Sequence, residues 1–153
     1  MKVIDIHAHI VFEETLNFLD QEGPEIGGDE ENPWFRVGDY KLEGVRYRNT
    51  PFMDLGLRLE AMDSMGVDFQ VLSPNPITYF HFIKKKPAVE YCKLHNDTMA
   101  KMINDHDSLG GFASLPMQDP HEASKELQRC VNDLGLLGAY VGTDFPLGFG
   151  NEA

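Results

Sequence analysis

The chain has 153 residues, of which 42% are apolar and 25% are charged, a composition typical of one globular domain with one sizeable core. The formal net charge is −12, and the 13 Lys and Arg residues are scattered except at positions 84 to 86, which argues against a nucleic-acid partner. A negative total does not exclude an anionic small-molecule substrate, because a local arginine can bind a carboxylate within a negative surface.

The cysteines and the N-terminus bear on the cellular setting. Cys92 and Cys130 are far apart and show no metal-type spacing, so we expect two reduced, buried thiols. The N-terminus has no apolar signal core, and the sequence contains no run of about 18 apolar residues that would span a bilayer. These features predict a cytoplasmic protein without a membrane partner.

The first predicted strand covers residues 2 to 9, where side chains alternate between two faces. One face carries Asp5, His7 and His9, and the other carries Ile4 and Ile6. From about residue 10 to residue 50 the pattern gives way to glycines, prolines and acidic residues, which predicts an inserted loop. Within the insert, Trp34–Val37 and Gly44–Arg48 are expected to form a small hairpin.

After the insert, helical and strand patterns alternate. The first predicted helix runs from about Pro51 to Met65 and ends at Gly66, and the second covers residues 88 to 103. The third begins after the N-cap Asp119, with five residues expected to face inward: Ala123, Leu127, Cys130, Val131 and Leu134. The strands are predicted at residues 67 to 72, 110 to 115 and 136 to 142, the first of them ended by the prolines at 74 and 76.

Four strands that alternate with three helices predict an α/β fold with a parallel sheet. A (β/α)₈ barrel of the TIM type needs roughly 250 residues, so the count corresponds to about half of one. We therefore expect residues 1–153 to be the N-terminal part of a single barrel domain, with the insert after its first strand.

The histidines of the first strand predict a metal site. Side chains at positions i and i+2 of a strand share one face at ~7 Å between Cα atoms, so the imidazoles of His7 and His9 can reach one ion. They lie at the C-terminal end of the strand, where parallel barrels bind ligands. Asp5 is placed to accept an imidazole N–H. The alternative is a pair of core histidines bonded to the backbone.

The residues around this pair resemble a known family. The segment Ile4–Ile10, with the pattern Asp-x-His-x-His, resembles the opening of the decarboxylase branch of the amidohydrolase superfamily. Further blocks resemble the 2-amino-3-carboxymuconate 6-semialdehyde decarboxylase family: Arg58–Val67, Val71–Ser73, Asn96-Asp97 and Gly111–Pro120. The resemblance covers nearly the whole chain outside the acidic part of the insert.

This resemblance implies a TIM-type barrel with one divalent ion, usually zinc. The ion would be held by the two histidines of the first strand together with a later His and a final-strand Asp, both expected beyond residue 153. The later His would act as general base and then acid. The histidines at positions 95, 106 and 121 are expected to have packing or surface roles, and His81 is the exception because it lies in a loop after the second strand.

The resemblance also implies residues that bind a small carboxylate substrate. Arg46, counted back from Met62-Asp63, aligns with an arginine that binds a substrate carboxylate, although a register error would exchange it with Arg48. Tyr79, His81 and Phe82 match an aromatic stretch that lines the family pocket. The last two replace a tyrosine and a tryptophan there.

The predicted activity is metal-dependent, non-oxidative decarboxylation of an unsaturated or aromatic carboxylic acid, by a protein that is a homodimer at full length. A hydratase, or a lactone or amide hydrolase of the same superfamily, would use the same metal pair. An interpretation of a different class is that the chain is a truncated, catalytically inactive half-barrel. Asp144, after the fourth strand, is interpreted either as part of the site or as a loop cap.

Overall fold

A computed structural model describes residues 1–142 of the chain. It has seven strands: β1 (Ile4–Ile10), β2 (Glu25–Gly27), β3 (Trp34–Val37), β4 (Tyr40–Glu43), β5 (Phe69–Pro74), β6 (Leu109–Ala113) and β7 (Gly138–Ala139). The α-helices are α1 (Leu55–Met65), α2 (Lys85–Asn104) and α3 (Pro120–Asn132). None of these helices is long and apolar enough to cross a membrane.

The main sheet is parallel, with the strand order β1-β5-β6-β7. Each helix stands between two consecutive strands of this sheet, which confirms the predicted α/β class. A core of buried residues joins the sheet to the helices, including Ile10, Met62, Leu72 and Met99. Cys92 and Cys130 are free and buried, as predicted.

The insert forms a small antiparallel sheet, β2-β3-β4. The predicted first arm of the hairpin is confirmed, but the second arm is Tyr40–Glu43 rather than Gly44–Arg48. The reason is that Gly38, at φ 54°, and Asp39 make a two-residue turn that brings Tyr40 opposite Val37 at once. Strand β2 is a third member that the sequence pattern did not reveal. The insert contributes to a second buried cluster with Phe80 and Tyr91.

Helix ends follow the predicted local chemistry in two cases and differ in one. Gly66 closes α1 in the left-handed conformation, and the Asp119 carboxylate accepts hydrogen bonds from two backbone amides at the start of α3. Helix α1 begins at Leu55 and not near Pro51, because the Asp54 side chain accepts from the Leu57 amide and caps the helix there.

Strand β5, the second strand of the main sheet, continues through Pro74, beyond its predicted end at residue 72. Strand β6 pairs only with residues 70 to 72 of β5, so at Pro74 the neighbour is β1 alone. A proline is tolerated there because the missing N–H is not needed by a second neighbour. Strand β7, the fourth strand of the main sheet, is shorter than predicted and covers only Gly138–Ala139.

Buried polar contacts determine which residues of helix α3 face the core. The Asn96 side chain accepts from the Ser114 amide at 2.8 Å and donates to the Ser114 carbonyl and to Glu126. Glu126 is buried and also pairs with Arg129 at 2.7 Å. Glu126 therefore faces inward, whereas Val131, predicted to face inward, is exposed.

Candidate metal centre and aromatic wall

The structure brings His7 and His9 together at the C-terminal end of β1. Their ring centroids are 4.6 Å apart and the rings are nearly perpendicular. Within residues 1–142, His7 is exposed and His9 is half-buried. Both imidazoles remain open to a ligand on the side of the strand that they share.

The Nδ1 atoms of both imidazole rings have polar partners. His9 Nδ1 lies 3.1 Å from the Pro74 carbonyl, and His7 Nδ1 lies 3.4 Å from the Tyr140 hydroxyl. The Pro74 carbonyl only accepts, so the neutral His9 ring carries its proton on Nδ1 and its lone pair on Nε2, the atom that a metal would take. Burial lowers the pKa of His9, which favours the neutral form that binds metals. The two histidines therefore fit part of a metal site.

Two ligands do not complete such a site. A catalytic zinc usually has about three protein ligands and one open position. Among residues 1–142, no group of three or more His, Cys, Asp or Glu side chains is placed to hold an ion. Asp144 lies outside the described residues.

An aromatic wall, formed by Tyr140, Tyr79 and His81, stands beside the histidine pair. The Tyr140 ring is 5.6 Å from His7 and 5.7 Å from His9, measured between centroids. Tyr79 follows at 6.3 Å from Tyr140, and His81 at 5.4 Å from Tyr79. Burial, with Tyr140 nearby, raises the pKa of Tyr79, and burial lowers that of His81, so both are neutral near pH 7.

Phe82 does not join this wall. It is 57% exposed, and its ring approaches Phe80 and the Gly38 turn. With Phe18 and Ile83 it lines a separate cavity of about 510 Å³. Between Tyr79 and Phe82, Phe80 has a left-handed backbone (φ 51°).

The two arginines of the insert lie in another environment. The Arg46 guanidinium is exposed and donates to the Glu30 carbonyl at 3.3 Å, beside a cavity of about 220 Å³. Arg48 forms an ion pair with Glu13 at 2.7 Å. Within residues 1–142, no hydrogen bond or ion pair joins either arginine to the histidine pair.

Asp5 has different partners from those predicted. Its carboxylate accepts from the His7 backbone amide at 3.0 Å and from the Gln70 side chain at 2.8 Å, and neither bond involves an imidazole. The acceptor that fixes the His9 ring is the Pro74 carbonyl instead.

Comparisons with known proteins find similarity to decarboxylases. The chain is 40% identical to γ-resorcylate decarboxylase of Rhizobium radiobacter over 108 residues, which are 70% of the chain and 32% of that protein. It is 27% identical to 2-amino-3-carboxymuconate-6-semialdehyde decarboxylase of Dictyostelium discoideum over 151 residues, 92% of the chain and 40% of that protein.

The chain is a homologue of these decarboxylases. A solved structure of dihydroxybenzoic acid decarboxylase from Polaromonas, with bound manganese and the inhibitor 2-nitroresorcinol, superposes with a TM-score of 0.68 at 28% identity. The match covers 93% of the chain and 39% of that structure. The predicted resemblance to this branch is thus confirmed. No family model matches the chain.

This decarboxylase homologue spans about a third to two fifths of the length of the curated relatives that it matches. Sequence reasoning missed three residues near its histidine pair: Tyr140, Arg58 and Gln70. The position of Tyr140 at the end of the fourth strand, where His9 stands on the first, was the available signal. Arg58 lies in a block that carried the resemblance, but nothing in the pattern indicated its contacts.

Proposed function

We propose that the chain forms the N-terminal part of a (β/α)₈ barrel that catalyses metal-dependent, non-oxidative decarboxylation of an aromatic or unsaturated carboxylic acid. The observation that carries this proposal is the convergence of His7 and His9, both with bonded Nδ1 atoms, beside an aromatic wall at the C-terminal ends of parallel strands. The relatives named above act as decarboxylases of such acids.

In this proposal His7 and His9 bind one divalent ion, and the other ligands come from outside the described residues. The ion would polarise a substrate oxygen and lower the pKa of a bound water. Imidazole ligands suit Zn²⁺, which we propose as the native ion, whereas the Polaromonas relative carries manganese. Metal content of protein purified without added metal distinguishes the two ions.

The aromatic wall would pack against the flat ring of the substrate. Tyr79 and Tyr140 are neighbours of the histidine pair, and aromatic rings favour tilted or offset contacts at such spacings. Arg46 remains the proposed carboxylate anchor over Arg48, because the guanidinium of Arg48 is already paired with Glu13. During turnover, carbon dioxide leaves and a proton takes its place on the ring carbon.

The test uses the longest open reading frame that contains these 153 residues. Carbon dioxide release is measured from γ-resorcylate and from a panel of other aromatic and unsaturated acids, with benzoate as a control. We expect His7→Ala and His9→Ala to abolish metal binding and carbon dioxide release. His106→Ala, at a half-buried histidine just after α2, is the matched control and should keep both.

Two outcomes would contradict the proposal. Uptake of water without carbon dioxide release would indicate the hydratase or hydrolase alternative. An intact mass near 17.3 kDa with no bound metal and no turnover would make this polypeptide an inactive half-barrel.

The proposal also includes a homodimer in the reducing cytoplasm, an environment that suits the two free, buried cysteines. Light scattering on the purified protein checks the dimer.

A further inference from the structure

A continuous chain of hydrogen bonds runs from helix α1 to the backbone of both histidines. Arg58, only 5% exposed, donates from Nη1 to Gln70 Oε1 at 2.7 Å and from Nη2 to the His9 carbonyl at 2.8 Å. Gln70 Nε2 donates to Asp5 Oδ2 at 2.8 Å. Asp5 Oδ1 accepts from the His7 amide at 3.0 Å.

The chain of bonds meets β1 at an irregular point in the sheet. Asp5 lies opposite Gln70, but Ala8 lies opposite Leu72, so three steps along β1 match two steps along β5. One residue of β1 is therefore extra, which is a β-bulge. The His7 amide, inside the bulge, donates to the Asp5 carboxylate.

Gln70 links a cation to an anion. Its amide oxygen faces the guanidinium of Arg58 and its amide nitrogen faces the carboxylate of Asp5, so one orientation of the amide satisfies both groups. A buried polar side chain held from both ends in this way has little freedom. It fixes the carboxylate that closes the bulge.

We propose that Gln70 and Arg58 are positioning residues that hold Asp5, and through it the bulge in β1, so that the imidazoles of His7 and His9 converge on one ion. This inference rests on the metal site proposed above. It gives Asp5 a role in shaping the backbone between the two histidines. Bulges commonly re-aim side chains beside active sites, which is the function assigned here.

The main variant is Gln70→Leu, which removes both hydrogen bonds at similar volume. The matched control is Asn96→Leu, because Asn96 is equally buried and makes three hydrogen bonds, all to Ser114 and Glu126. Two quantities are measured for each: the dissociation constant for Mn²⁺, by competition with a chelator, and the exchange rate of the His7 amide in the metal-free protein.

We expect Gln70→Leu to weaken Mn²⁺ binding by roughly 10- to 100-fold, the usual effect of losing a group that orients metal ligands, and to accelerate exchange of the His7 amide. Asn96→Leu should lower the thermal midpoint as much or more but leave both quantities close to wild type. If Gln70→Leu does not fold, Gln70→Glu serves instead. Its carboxylate pairs with Arg58 but repels Asp5, so the same two changes are expected.

Several outcomes would overturn the inference. One is an unchanged exchange rate at His7, another is faster exchange with unchanged Mn²⁺ binding, and a third is equal weakening of Mn²⁺ binding in Asn96→Leu. Failure of the proposed function looks different, since His7→Ala and His9→Ala would then leave metal binding unaltered. The exchange measurement still decides whether Gln70 holds the bulge in that case, because it needs no metal.

Discussion

At the scale of single residues, Tyr140 makes two different contacts beside the histidine pair. The hydroxyl of Tyr140 reaches His7 Nδ1 at 3.4 Å, while its ring forms part of the aromatic wall. These two contributions are separable by substitution. In the proposed site the hydroxyl would orient a metal ligand, and the ring would contact the substrate.

Replacement of Tyr140 should separate these contributions. Tyr140→Phe keeps the ring, so we expect little change in KM for an aromatic acid and a loss of metal affinity of about threefold, consistent with the net value of one exposed hydrogen bond. Tyr140→Ala removes both and should raise KM as well. Equal KM values in the two variants would show that the ring does not contact substrate.

The two insert arginines offer a direct comparison. We expect Arg46→Ala to raise KM for a carboxylate substrate by at least tenfold and to leave metal loading unchanged, because a charge-assisted pair is lost. Arg48→Ala should break only its ion pair with Glu13, which is exposed and of small value. A larger KM effect at Arg48 would reassign the anchor.

The buried His95 should make the free energy of unfolding depend on pH. It is fully buried against Phe12 and Tyr91, and burial lowers its pKa to about 4 from the usual 6.5. Below pH 6.5 the unfolded chain binds a proton that the native His95 does not, so this residue costs stability as the pH falls toward 4. The loss between pH 7 and pH 5 should be about 2 kcal/mol.

Urea unfolding at the two pH values measures this loss. In His95→Phe, which keeps a ring at the position, the change in the free energy of unfolding between pH 7 and pH 5 should be smaller by that amount. The comparison removes the contribution of carboxylates that both proteins share. Parallel losses in the two proteins would show that His95 is not responsible.

At the scale of elements, local chemistry defines the ends of α1 and the start of α3. Asp119 caps α3 through the amides of His121 and Glu122, as its sequence context predicted. The start of the first helix was predicted too far toward the N-terminus, because the sequence pattern does not distinguish a turn at residues 51 to 53 from a helix. The cap at Asp54 makes that distinction.

The cap of α3 can be tested by a paired substitution. Asp119→Ala should lower the free energy of unfolding by about 1 kcal/mol, because two backbone amides lose their acceptor. Asp133→Ala, at the other end of the same helix, should cost nothing, since a carboxylate there opposes the helix dipole. Equal effects in chemical denaturation would contradict a specific capping role.

At the scale of the whole molecule, β1 is an edge of the main sheet in the described part of the chain. Ile4 is 56% exposed and Ile6 is 69% exposed on this strand. A strand with one free edge and exposed apolar side chains is a template for association with other chains. The 153-residue chain by itself should therefore self-associate.

Ile6→Lys should reduce this association without lowering the thermal midpoint, because the side chain is exposed already. Met65→Lys is the matched control: Met65 is 67% exposed but lies at the end of a helix, so it should not change association. Light scattering coupled to size-exclusion chromatography reports both. A wild-type chain that stays monomeric at high concentration would refute the prediction.

The sequence by itself determined the alternation of helices with the strands of the main sheet, the cap at Asp119, the buried cysteines and the pairing of His7 with His9, since these follow from periodicity and short-range geometry. Tertiary structure decided which distant residues meet them. Tyr140 reaches His7 across 133 positions, Gln70 reaches Asp5 across 65, and Phe82 turns away from the wall at a left-handed Phe80. Such contacts depend on the register of non-adjacent strands and on single backbone angles, which a local pattern does not encode.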